Sequence, residues 1–105
     1  MQIIINTDSN IESNEELAQQ VKAMVVSALE RFGDRITRVE VHLSDENSHK
    51  FGTDDKRCLL EARLAGLQPI AASYQAATLQ QAINGAAEKL KNATDSALGR
   101  RERNR

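Results

Sequence analysis

The sequence has no tryptophan, one tyrosine and two phenylalanines, so aromatic residues make up only 3% of its 105 positions. That scarcity argues against a sheet that reads single strands by base stacking, which needs exposed rings on adjacent strands. Phe32 belongs to a helical stripe and Tyr74 fits an inward strand position, which leaves Phe51, in a polar stretch, free to stack. The single cysteine, Cys58, excludes an intrachain disulfide and gives no paired metal-ligand spacing; a reducing, cytoplasmic setting is the matching expectation. No run approaches the roughly 20 apolar residues that a membrane-spanning helix requires. The opening MQIIINTDSN has no basic segment before its apolar run and no small-residue cleavage site, so it does not read as a signal peptide. Catalytic signatures are also missing. There is no G-x-S-x-G, no P-loop, no G-x-G-x-x-G and no Cys/His pair at useful spacing. Neither an enzyme nor a cofactor, small-molecule substrate or membrane partner is expected.

Charge is present in both signs but unevenly placed. The formal net charge is -1, yet residues 1–55 carry 5 Lys/Arg against 11 Asp/Glu, and residues 56–105 carry 9 against 4. The basic half is where a polyanion could sit. Lys89, Lys91, Arg100, Arg101, Arg103 and Arg105 place six cations in the last 17 residues. Such cations also complement the C-terminal end of a helix dipole, so part of the set has a purely structural reason.

Periodicity divides the chain into six elements. QIIINT (2–7) is β-branched and reads as a strand with Ile3 and Ile5 on one face. Ser13 and Glu16 fit a capping box, followed by Leu17, Val21, Met24, Val25, Ala28, Leu29 and Phe32 at helical spacing, with Gly33 placed to end the helix. Val39, Val41 and Leu43 alternate with Arg38, Glu40, His42 and Ser44, as in a strand with one wet face; outward residues there can pair with Glu61 and Arg63 of a neighbouring strand. The polar stretch 44–56 reads as a long loop. Cys58, Leu60, Ala62 and Leu64 form the inward side of a third strand, and PIAASYQ (69–75) makes a fourth that begins on its proline. Thr78 and Gln81 then cap a second helix with Leu79, Ala82, Ile83, Ala86, Leu90 and Ala97 as its core stripe. Gly85 inside that helix costs about 1 kcal/mol relative to alanine and suggests close packing on the sheet.

The expected fold is α+β in the order β-α-β-β-β-α, a four-stranded mixed sheet with both helices on one face. Residues 1–98 form a single domain, and 99–105 a basic, frayed tail. The one cluster of metal-ligand types, His42, Asp45, Glu46 and His49, falls at a strand end and in a polar loop with no evident scaffold, so no metal is expected. Cys58 reads as a core thiol.

The stretch LERFGDRITRVEVHL (29–43) and the helix AATLQQAINGAAEKLKNA (76–93), in that element order, resemble the ribosome hibernation promoting factor family, also called ribosome-associated inhibitor or sigma-54 modulation protein. The resemblance spans essentially the whole chain, and DENSHKFGTDDKRC (45–58) is similar to the loop of a short-form subgroup. It implies a bacterial stress or stationary-phase protein that binds the small ribosomal subunit near the decoding region, occludes messenger and transfer RNA, and represses translation. By position, the residues implied to meet ribosomal RNA phosphates are Lys22, Arg31 and Arg35 around the first helix and Lys89 and Lys91 on the second, with Arg100 and Arg101 extending the set. The long-form dimerisation domain is not expected. This chain departs from the family at both helices, the first of which is acidic at its start with Glu12, Glu15 and Glu16. Where the family's second helix commonly carries a ladder of Lys and Arg, here it reads NATDSALG, with Asp95 in place of a cation. The alternative is a protein-binding stress module of the same fold with weakened or no ribosome binding.

Overall fold

A parallel pair of strands opens the sheet. In the computed structural model, which describes residues 1–46 and 56–103, β1 (Gln2–Thr7) lies parallel to β2 (Ile36–Asp45). β3 (Lys56–Leu64) and β4 (Ile70–Ala76) then add antiparallel, giving the order β1-β2-β3-β4. Helix α1 (Glu15–Leu29) connects β1 to β2, as a parallel crossover requires, and α2 (Leu79–Arg103) closes the chain. The expected α+β order is the observed one. Residues 47–55, with His49 and Phe51, and most of the loop expected over 44–56, lie outside the described residues.

The core forms where the inward strand residues meet the two helical stripes. Val39, Val41, Leu43, Cys58, Leu60 and Ala62 are sealed beneath Val21, Val25 and Leu29 of α1 and Ala82, Ile83, Ala86 and Leu90 of α2. Hydrophobic burial on this one face explains why the strands alternate and why the opposite face stays polar. Ile36 is also buried, although it stands three residues before Val39. A register shift between Ile36 and Arg38 accounts for this: the extra residue, Thr37, reverses the alternation and donates its Oγ1 hydrogen to the Arg63 carbonyl at 3.3 Å.

The helix starts follow different logic at the two ends. Asn14, and not Ser13, caps α1: in an extended conformation, its side-chain oxygen accepts from the Leu17 amide at 2.8 Å. The helix begins at Glu15, one residue later than the Ser13–Glu16 box predicts, and Asn14 is as good a cap as serine. At α2 the expected cap holds, with Gln81 N–H donating to Thr78 Oγ1 at 3.1 Å. After Leu29 the chain tightens into a short 3-10 segment, Glu30–Arg35 (η1), and turns into β2 at Gly33. Gly33 has φ 54°, which L side chains rarely adopt, so glycine is the residue that allows this junction.

Candidate nucleic-acid interface

The seven cations expected to face a polyanion are spread over three parts of the surface. Lys22 stands exposed on α1. Arg31 and Arg35 stand exposed on the 3-10 segment that follows it, where the Arg35 carbonyl accepts the Ala65 amide at 2.9 Å. Arg31 forms an ion pair with Asp95 of α2, and its guanidinium carbon lies 4.8 Å from the Phe32 ring centroid. Asp95 therefore occupies one of the seven candidate cations.

On α2 the candidates divide. At about 100° per residue, Lys89 and Lys91 point roughly 200° apart around the helix, so they do not share a face. Lys91 is half-buried and pairs with Glu88 at 3.4 Å. Lys89 lies instead over the Tyr74 ring of β4, 5.3 Å from its centroid. Arg100 falls within about 20° of Lys89 and about 16 Å further along the axis, on the same flank. Helix α2 continues past Leu98 to Arg103, so the backbone of Arg100 and Arg101 is helical. Among the described residues, Lys22, Lys89 and Arg100 have no ion-pair partner.

Sequence reasoning missed Tyr74 as a surface group. It does stand on the helix-facing side, opposite Cys58, but β4 is the edge strand and the ring is 42% exposed. The ring lies against the α2 backbone at Gly85, where a Cβ would come within 2.2 Å of it. Glycine in mid-helix opposite an edge-strand aromatic was the available signal. Tyr74, Gln75, Gln81, Asn84 and Gly85 line an open recess beside Lys89, which offers a ring face, amides and a cation together.

The other chemical candidates are placed clearly. Cys58 is fully buried, and desolvation, only partly offset by Arg57, pushes its thiol up to about 12. A thiol held protonated in the core is no nucleophile. Among the described members of the sequence cluster, His42 does not come together with Asp45 and Glu46. Asp45 pairs with Lys56 at 3.2 Å, and Glu46 lies 3.8 Å from Arg57 and accepts from Gln75 at 3.0 Å. His42 points away from both, toward Glu40 and Glu61. No helix among the described residues is long and apolar enough to cross a membrane.

The family model for sigma 54 modulation protein / S30EA ribosomal protein matches residues 4–102. The chain belongs to this family. Membership agrees with the resemblance carried by residues 29–43 and 76–93, and the family is not one of enzymes. Solved structures share the fold. The N-terminal domain of Protein Y from Thermus thermophilus is 21% identical with a TM-score of 0.70, over 89% of this chain and 94% of that one. A ribosomal subunit interface protein from Coxiella burnetii is 14% identical with a TM-score of 0.69, over 94% and 99%. No curated protein matches the sequence.

Proposed function

We propose that this protein is a non-enzymatic translation inhibitor that docks on the small ribosomal subunit near the decoding region and excludes messenger and transfer RNA under stress. Membership in the sigma-54 modulation/S30EA family supports this reading, as does the fold shared with a ribosomal subunit interface protein from Coxiella burnetii. The observation that carries the assignment of a surface is the flank of α2 on which Lys89, over the exposed Tyr74 ring, and Arg100, further along the axis, align. Cations spaced along a rigid helix suit phosphate contact, and one exposed ring adds a stacking surface without requiring base identity. Lys22, Arg31, Arg35, Lys91 and Arg101 have supporting roles in this proposal, and those of Arg31 and Lys91 are reduced by their acidic partners.

Co-sedimentation with purified small subunits across a potassium chloride series tests the surface. Replacing both Lys89 and Arg100 with glutamate should weaken binding by at least tenfold at low salt and flatten the salt dependence, because each lost phosphate contact removes roughly one counterion. Lys91→Glu should have a much smaller effect, and Asp95→Lys should strengthen binding by releasing Arg31 and adding a cation. Equal losses from Lys89 and Lys91 would reject the assigned flank. Wild-type protein absent from small subunits at every salt concentration, together with recovery of one protein partner and no RNA, would replace this proposal with the protein-binding alternative.

A further inference from the structure

The solvent face of the sheet brings together a group that neither the fold nor ribosome binding requires. Glu40 and His42 are two residues apart on β2 and therefore share its outer face. Glu61 stands directly across from Glu40 on β3. One ligand atom from each of the three lies within 4.8 Å of the others. His42 Nε2 is 3.2 Å from a Glu61 oxygen and 3.6 Å from Glu40 Oε2.

The two histidine–carboxylate separations are of the size that a shared cation sets. Zinc bonds to nitrogen and oxygen of about 2.0–2.2 Å put neighbouring ligands of a four-coordinate site roughly 3.3–3.6 Å apart. In such a site the oxygens lie off the axis of the imidazole lone pair, which points at the ion. Here His42 Nε2 is shut off from solvent with two carboxylate oxygens close by, yet it makes no hydrogen bond. The second carboxylate oxygen of Glu40, Oε1, is held by Arg38 at 3.2 Å, which leaves Oε2 directed at the histidine. Metal-ligating carboxylates are commonly oriented by an outer partner in this way. The juxtaposition of Glu40 and Glu61 is itself unfavourable, because like charges directly opposite in a sheet repel. Arg38 and Arg63, also directly opposite one another, line the adjacent recess of about 90 Å³ with the two glutamates and Pro69. Their charges balance those of the two carboxylates.

We propose that Glu40, His42 and Glu61 form a surface binding site for a divalent transition-metal ion of the zinc class, with water completing the coordination. The ion bridges β2 and β3 and removes the repulsion between the two glutamates. One imidazole and two carboxylates favour such an ion over magnesium or calcium, which take oxygen ligands. The neighbouring arginines weaken the site by their like charge, and binding depends on pH because a histidine ligand must be neutral.

Isothermal titration of the chelator-treated full chain with zinc chloride at pH 7.5 tests the site, and histidine side-chain nitrogen NMR reports which ring takes the metal. The expected result is saturable one-to-one binding, weakened at least tenfold by His42→Gln and by Glu61→Gln. His49→Gln, which removes the other histidine of the chain, should bind within twofold of wild type. All three changes should leave the far-ultraviolet circular dichroism spectrum unaltered. No saturable binding below millimolar zinc would overturn the proposal. So would binding that survives His42→Gln, or that is lost with His49→Gln alone.

Discussion

Replacing Gly85 by alanine sets two calculable effects against each other. Alanine in a helix interior is favoured over glycine by about 1 kcal/mol. Here, however, the new methyl would lie 2.2, 2.4 and 2.7 Å from Cδ2, Cγ and Cε2 of Tyr74. Cγ is the root of the ring, so bending the far end of the side chain cannot relieve the contact. Either the ring rotates about χ1 and leaves the helix, or α2 lifts from β4. Overpacking of this kind typically costs about 1–3 kcal/mol, which exceeds the propensity gain. The single substitution should therefore destabilise the protein by about 1 kcal/mol, lowering the melting temperature by about 4–8 °C for a domain near 100 residues. In a Tyr74→Ala background the obstacle is gone, and the same change should stabilise by about 0.5–1 kcal/mol. This reversal of sign gives a coupling of about 2 kcal/mol between residues in direct contact. Urea denaturation followed by circular dichroism measures all four corners. Tyr74 is the only tyrosine and there is no tryptophan, so intrinsic fluorescence reports on the displaced ring. Stabilisation by Gly85→Ala in both backgrounds would refute the packing argument and remove the reason for a glycine at this position.

Two further outcomes follow from buried or capped groups. Cys58 keeps its proton to about pH 12 in the native state, while an unfolded thiol ionises near 9. Above pH 9 the native state thus binds more protons than the unfolded one, so stability is complete below that point and declines as pH rises toward 12. Urea midpoints should fall between pH 9 and 11 in wild type and fall less in Cys58→Ala, and the native thiol should resist alkylation at pH 8; equal alkaline slopes would reject the assignment. Asn14→Ala should cost about 1 kcal/mol through loss of the α1 cap, while Ser13→Ala should lie within about 0.5 kcal/mol of wild type in the same denaturation assay.

The parts of the fold that could be read from the sequence are those where one physical requirement dominates. The stripe from Leu17 to Phe32 and the alternation from Val39 to Leu43 each report a single buried face, and their periods differ enough to identify helix and strand. The helix start was less legible because Ser13 and Asn14 are adjacent and both are competent caps; only the backbone conformation at Asn14 decides between them. Register was not legible either. Arg38 meets Arg63 and Glu40 meets Glu61, so like charges stand opposite one another and the Arg38–Glu40 pair runs along β2. The bulge at Thr37 sets that alignment, and a single extra residue leaves no compositional mark. Of the candidate interface, the cationic residue types were visible, but their division between two flanks of α2 required the helical phase to be combined with the position of β4.

The charge distribution shows why that division matters. Along the sequence the second half carries an excess of five positive charges, but folding brings part of that excess against the acidic first half. Lys56 meets Asp45 and Arg57 approaches Glu46 where β3 runs antiparallel to β2. Helix α2 gives up further cationic character internally, since Glu88 holds Lys91 and Asp95 holds Arg31 of the neighbouring segment. Exposed pairs of this kind contribute only about 0–1 kcal/mol each to stability, but they lower the local potential that a polyanion would feel. Among the described candidate cations, what survives is Lys22 on α1 and, on one flank of α2, Lys89 over the Tyr74 ring with Arg100 further along the axis. Among the described residues, a phosphate backbone approaching the Lys91 side of α2 meets a cation already paired. Charge polarity along the chain thus overstates the binding field, because pairing across the fold neutralises part of it.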